Sequence, residues 1–157
     1  MKKTTLNRSA IALTRTACVT ALYYAMTVLL QPISYGVFQF RISEALTMLP
    51  LLFPEAIAGL ALGCLLANIT SPFGILDMLL GAAITLAAAI LTRIIKKPFV
   101  APLPPILLNA LLLPLILLIS GSDVGYFLTA ASLLVSQALV IYGLGLPLYF
   151  GLKRCSL

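Results

Sequence analysis

Six polar side chains stand in stretches that are otherwise apolar: Arg41, Glu44, Asn68, Asp77, Asn109 and Gln137. Charged and amide groups are costly in lipid, and where they occur at membrane depth they usually serve function. The densest run is Arg41 to Asn68, RISEALTMLPLLFPEAIAGLALGCLLAN, which carries Arg41, Glu44, Glu55 and Asn68. The chemistry on offer is recognition. A carboxylate accepts two adjacent N–H groups, a guanidinium donates in a fork, and an amide both donates and accepts. A set of this kind suits the capture of a small polar molecule at the outer end of the stretch.

Chemistry of other kinds lacks its parts. There is no His in the chain, no G-x-x-x-x-G-K-[ST] loop for ATP and no G-x-S-x-G elbow. The four acids do not cluster at metal-ligand spacing. No catalytic residue, metal or cofactor is therefore expected.

Each polar residue also has a plainer reading. Arg41 and Glu44, three apart, can pair across one helical turn. Asp77 can stabilise the first turn of a helix through its dipole, and Glu55, just after Pro54, fits that role better still and is left out of the pocket. Asn109 and Gln137 can bridge helices through amide hydrogen bonds.

Composition sets the medium. The chain of 157 residues is 62% hydrophobic and 9% charged, with a mean hydropathy of +1.15, well above the roughly 45–50% apolar share of soluble domains. It reads as a single integral membrane domain over residues 1–157. The net charge of +6 does not point to nucleic acid, because the basic residues flank apolar runs in short clusters. Cys18 and Cys64 lie in apolar segments and Cys155 in the tail, so free thiols are expected, the first two packed as small hydrophobes. Arg15 interrupts the first apolar run, which reads as an uncleaved span rather than a signal peptide.

Apolar runs place spans at about Ser9–Leu30, Ile75–Leu91, Val100–Ile119 and Val124–Phe150. Pro50 and Pro54 break the run between Ile42 and Ile69. Whether that run is one span or two follows from charge. Lys2, Lys3, Arg8 and Arg15 precede the first span, Arg93, Lys96 and Lys97 follow the one from Ile75, and Lys153 and Arg154 close the chain. All three clusters face the cytoplasm under positive-inside bias, so an even number of crossings separates the first two. Two short helices, Ile42–Phe53 and Pro54–Ile69, satisfy this with a turn at the cytoplasmic side; a re-entrant pair would too. Six spans result, with both termini in the cytoplasm.

In this topology Arg41, Glu44, Asn68 and Asp77 lie near the outer face, and Asn109 and Gln137 near mid-membrane. The segment QPISYGVFQF, Gln31 to Phe40, reads as a loop over the site whose Tyr35 and Phe38 either cover a ligand or anchor at the interface. Gly59, Gly63 and Ala67 repeat at four-residue spacing and predict close helix packing. Ala17, Ala21 and Ala25 do the same on the first span, for packing inside the bundle or docking to another protein. The prolines at 102, 104, 105, 114 and 147 mark candidate kinks.

FRISEALTMLPLLFPEAIAGLALGCLLAN, then GILDMLLGAAITLAAAILT, Asn109 and the C-terminal GLPL, resemble the QueT family of queuosine-precursor transporters. The resemblance covers roughly Ala17 to Leu148. It implies an all-α bundle of six transmembrane helices, the substrate-binding S component of an energy-coupling factor (ECF) importer in a bacterial plasma membrane. Such a subunit takes a 7-deazaguanine such as preQ1, preQ0 or queuine from outside. Its implied partners are a transmembrane coupling protein and two ATPase subunits, and the alanine row resembles the AxxxA docking motif of S components.

A deazaguanine carries a ring N–H beside an exocyclic amine, a pair that one carboxylate can accept. Glu44 is the first choice, with Asn109 and Gln137 on the other edges and Tyr35 or Phe38 stacked on the ring. The chain departs from the family pattern at Ser136-Gln137, where Gly-Glu is common, which leaves the particular base open. An S component for another vitamin or heterocycle, a membrane assembly protein and a proton-coupled carrier are the alternatives.

Overall fold

The computed structural model describes residues 2–34, 39–71, 74–119, 121 and 125–155, with side chains from residue 8 onward. All regular structure among them is helical. The order is α1 (Lys2–Leu29), the single turn α2 (Gln31–Ser34), a 3-10 helix η1 (Ile42–Leu51), α3 (Ala56–Asn68), α4 (Gly74–Ile95), α5 (Leu103–Ile119), and α6 (Tyr126–Val140), which runs through a π-helical segment η2 (Ile141–Gly145) into α7 (Leu146–Cys155). Among the described residues three stretches are long and apolar enough to cross a membrane, namely Arg8–Leu29, Gly74–Ile95 and Tyr126–Cys155. Ile42–Leu51, Ala56–Asn68 and Leu103–Ile119 are shorter apolar helices.

The 3-10 helix is the axis of the molecule. Every residue from Ser43 to Pro50 is buried, although runs of this helix beyond three or four residues are uncommon. With three residues per turn, side chains at i and i+3 eclipse, so η1 presents three straight columns. Ser43, Leu46 and Leu49 form the first. Leu46 and Leu49 pack with Val19 and Tyr23 of α1 and Leu60 and Cys64 of α3. Ala45 and Met48 lie on the second, facing η2: Met48 packs with Ile141, Leu146 and Tyr149. A Cβ on Gly145 would stand only 2.9 Å from the Ala45 carbonyl, so the π segment approaches η1 where glycine permits it. The third column is Arg41, Glu44, Thr47 and Pro50, and it carries the charge.

The sequence led us to expect an α-helix of about 18 Å over Ile42–Phe53. The 3-10 helix ends at Leu51 and, at about 2.0 Å per residue, still spans about 20 Å. Pro50 favours an early end because it has no N–H to donate. The Thr47 hydroxyl also bonds the Glu44 carbonyl three residues back, at 2.6 Å. The break between Pro50 and Pro54 holds, and α3 starts at Ala56.

The glycine spacing on α3 does what it predicts. A Cβ on Gly59 would lie 2.8 Å from Val19 Cβ, and one on Gly63 would lie 2.7 Å from Tyr23 Cβ. The backbones of α1 and α3 meet there, joined by the Thr16 hydroxyl to the Glu55 carbonyl at 3.3 Å and the Thr20 hydroxyl to the Gly59 carbonyl at 3.1 Å.

Long-range bonds sort the two ends of the bundle. Arg93 Nη1 donates to the carbonyls of Pro50 and Leu51 at 2.9 and 3.1 Å, capping the C-terminus of η1. Arg15 pairs with Glu55 at 3.9 Å and lies over the Phe53 ring. The first and second basic clusters and the turn after Leu51 therefore share one end, as the charge argument requires. Arg41, Asn68 and Asp77 gather at the other.

Several local expectations change. The Gln31–Phe40 segment opens with the turn α2 and is not loop throughout. Pro104 and Pro105 sit in the first turn of α5, where proline is tolerated. Pro147 is the second residue of α7, two positions after η2 ends; it has no N–H for the carbonyl four residues earlier, and the widened turn sits where that bond is lost. Cys18 is exposed on α1 and not packed as a small hydrophobe, whereas Cys64 is buried.

Candidate ligand-binding site

The polar column of η1 is enclosed on every side. Glu44 is 1% exposed, and its Oε1 accepts the hydroxyl of Tyr23 at 2.6 Å. Asn109 of α5 makes a further side-chain hydrogen bond to it. Side chains of α1 and α5 thus both bond this carboxylate. One column over, the hydroxyls of Ser43 and Thr27 bond each other at 2.8 Å, tying the start of η1 to α1.

One turn above Glu44, the Arg41 guanidinium lies 4.0 Å from Asp77 Oδ2, both side chains 2% exposed. Its Nε reaches the Ser34 carbonyl at 3.4 Å. Asp77 accepts the Ser71 hydroxyl at 2.6 Å, and its main-chain carbonyl accepts Asn68 Nδ2 at 3.1 Å. Asn68 has room because residue 81 is glycine: a Cβ there would lie 2.7 Å from Asn68 Nδ2. Besides the pairing with Glu44 that one helical turn allows, Arg41 reaches across to α4 for an ion pair with Asp77. Asp77 holds that cation and Asn68 bridges α3 to α4.

The α6 side is neutral. Ser136 donates to the Gln39 carbonyl at 2.9 Å, which fastens the chain entering η1 to α6. Gln137, 1% exposed, follows it. Leu133 and Ile141, one turn either side of Gln137, pack with Ala110 and with Ile106 of α5 respectively. Gln137 therefore faces α5 at the level of Asn109. Neither atom of its amide has a hydrogen-bonding partner among the described residues, and the same holds for Gln39 Oε1 and Ser34 Oγ. Buried amides are ordinarily satisfied.

All six polar residues singled out from the sequence are buried in the bundle. Arg41, Asn68 and Asp77 meet at one level, and Glu44 and Asn109 at the next. Tyr35 and Phe38 lie outside the described residues. Tyr23, Gln39 and Ser71 were missed. Tyr23 had a signal, since it falls four residues after Val19 on the face that α3 covers, but a tyrosine in an apolar span announces no partner. Glu55 stands at the opposite end, as expected.

The alanine row is free of the bundle's own packing. Ala17 and Ala21 are exposed and Ala25 half-buried, because α1 turns Val19 and Tyr23 to α3 instead. Ala17 and Ala21 line a shallow groove of about 470 Å³ with Thr20, Tyr24, Leu62 and Leu66.

An all-helical bundle with an apolar exterior and buried charged and amide groups has the architecture of an integral membrane protein. The family model for the QueT transporter matches residues 13–154, and the chain belongs to that family. No curated protein and no solved structure matches it.

Proposed function

We propose that the chain is the S component of an ECF-type importer and that it captures a 7-deazaguanine from outside the cell. Glu44 accepts the paired N–H groups of the base, Asn109 and Gln137 address the remaining edges, and Arg41, Asp77 and Asn68 hold the outer wall. The observation that carries this reading is Glu44, a carboxylate 1% exposed and gripped by Tyr23, in a bundle that also buries the amide of Gln137, whose two polar atoms have no partner among the described residues. Helix glue alone does not account for that unused capacity.

Energy comes from outside the chain, which has no nucleotide loop. The row of Ala17, Ala21 and Ala25, the first two exposed and the third half-buried, supports docking to the transmembrane coupling protein, which brings two ATPase subunits. Small residues admit a close helix crossing there.

Uptake and binding separate the two halves of this proposal. Ala21→Leu is expected to abolish ATP-dependent uptake by the reconstituted transporter while the purified subunit binds its base unchanged. Loss of uptake and binding together would assign the alanine face to internal packing. Uptake that persists without ATP would favour a proton-coupled carrier.

A further inference from the structure

The sides of the candidate site differ in charge. Its described acidic and basic groups come from the start of η1 and from α4: Arg41, just before η1, Glu44 and Asp77. The α6 side offers Gln137, Ser136 and the Gln39 strap, all neutral, and α6 carries no acid from Tyr126 to Val140. Tyr126, where α6 begins, stands roughly 17 Å along the helix axis from Gln137 at 1.5 Å per residue. Glu55, the remaining described acid, pairs with Arg15 at the other end of the bundle.

We infer that the Gln137 and Gln39 corner selects bases with an uncharged 7-substituent and rejects those with a cationic one. The inference rests on the reading of the site as a 7-deazaguanine pocket. With the paired N–H edge on Glu44, the 7-substituent lies on the far ring of the base from that carboxylate, and in this reading it lies against the neutral α6 side. The substituent meets amides there. A primary amide donates to a nitrile nitrogen or a carbonyl and accepts from a neutral N–H. It does not neutralise an ammonium, and a buried ammonium without a counter-charge is strongly disfavoured. Among the described residues no side chain bonds the Gln137 amide, so it can turn either end to the ligand. Gln39 adds a second acceptor at its Oε1, and the Ser136 bond fixes its backbone at 2.9 Å.

The test is a pair of affinities on the purified full-length protein in lipid nanodiscs at pH 7, without ATP. The probes are 7-cyano-7-deazaguanine, which is neutral, and 7-aminomethyl-7-deazaguanine, which is a cation. The wild type is expected to bind the cyano compound at least tenfold more tightly. Gln137→Glu is expected to shift that ratio at least tenfold toward the aminomethyl compound. The wild-type ratio needs no variant to fold, so it decides alone if Gln137→Glu is unstable. Equal affinity for the two probes, or preference for the cation, overturns the inference and leaves the deazaguanine pocket standing. Binding of neither probe overturns both.

Discussion

Two ion pairs of nearly equal length occupy opposite ends of the bundle. Arg15 and Glu55 stand 3.9 Å apart with side chains 46% and 25% exposed, whereas Arg41 and Asp77 stand 4.0 Å apart at 2% each. The first sits among the basic residues that set orientation and contributes little, as exposed pairs do. Burying the second required removing two ions from water, which their mutual attraction seldom recovers in full. Stability does not explain why such a pair is kept. It makes sense where the charges present hydrogen-bonding groups to something that enters, and the neighbours of Arg41 and Asp77 are the other residues of the candidate site.

Substitutions can break this contrast. The largest effect on stability is expected from Asp77→Asn, which leaves the buried guanidinium without its carboxylate: a loss of about 3–5 kcal/mol, read as a lowered thermal midpoint in detergent. Arg93→Gln at the basic end removes both bonds that cap η1. A charged hydrogen bond contributes about 1.5–3 kcal/mol, and partial exposure of this one puts the expected loss near the lower figure. Gly63→Leu drives a side chain into Tyr23 and should lower stability by about 1–3 kcal/mol. It should also weaken ligand binding, because Tyr23 holds Glu44. Glu55→Gln should change stability by less than about 1 kcal/mol. If Glu55→Gln proved as damaging as Asp77→Asn, the two ends would be equivalent and the contrast would fail.

Much of this arrangement could be read from the residues, and the parts that could not have physical reasons. Pro50 and Pro54 announce a break because proline constrains its own backbone and that of its neighbour. The requirement that Arg93 share an end with Arg15 then makes two helices of one apolar run. Glycine spacing gave the α1–α3 contact from one side only. It showed where α3 is thin but not which face of α1 would fill the space, so Ala17, Ala21 and Ala25 remained ambiguous until Val19 and Tyr23 were seen in that place.

The 3-10 form of η1 was not legible. Nearly all of its side chains are buried, so no polar face exists whose period would distinguish 3.0 from 3.6 residues per turn. That difference decides which residues share a column, and hence that Arg41 and Glu44 stand one above the other while their partners come from other helices. Tyr23 was hidden for a related reason: its role depends on the tertiary position of Glu44, 21 residues away. The neutrality of Ser136-Gln137 was visible in the sequence, but not that the amide would be buried without a partner among the described residues.

The central claim is that Glu44 is kept in the interior to receive a base. Calorimetric titration of the purified protein with a 7-deazaguanine, in the absence of ATP, tests it most directly when wild type and Glu44→Gln are compared. The account predicts saturable one-to-one binding by the wild type and at least a tenfold loss in the variant, about 1.4 kcal/mol, with the fold retained by circular dichroism. An unchanged affinity in a folded Glu44→Gln protein would contradict it.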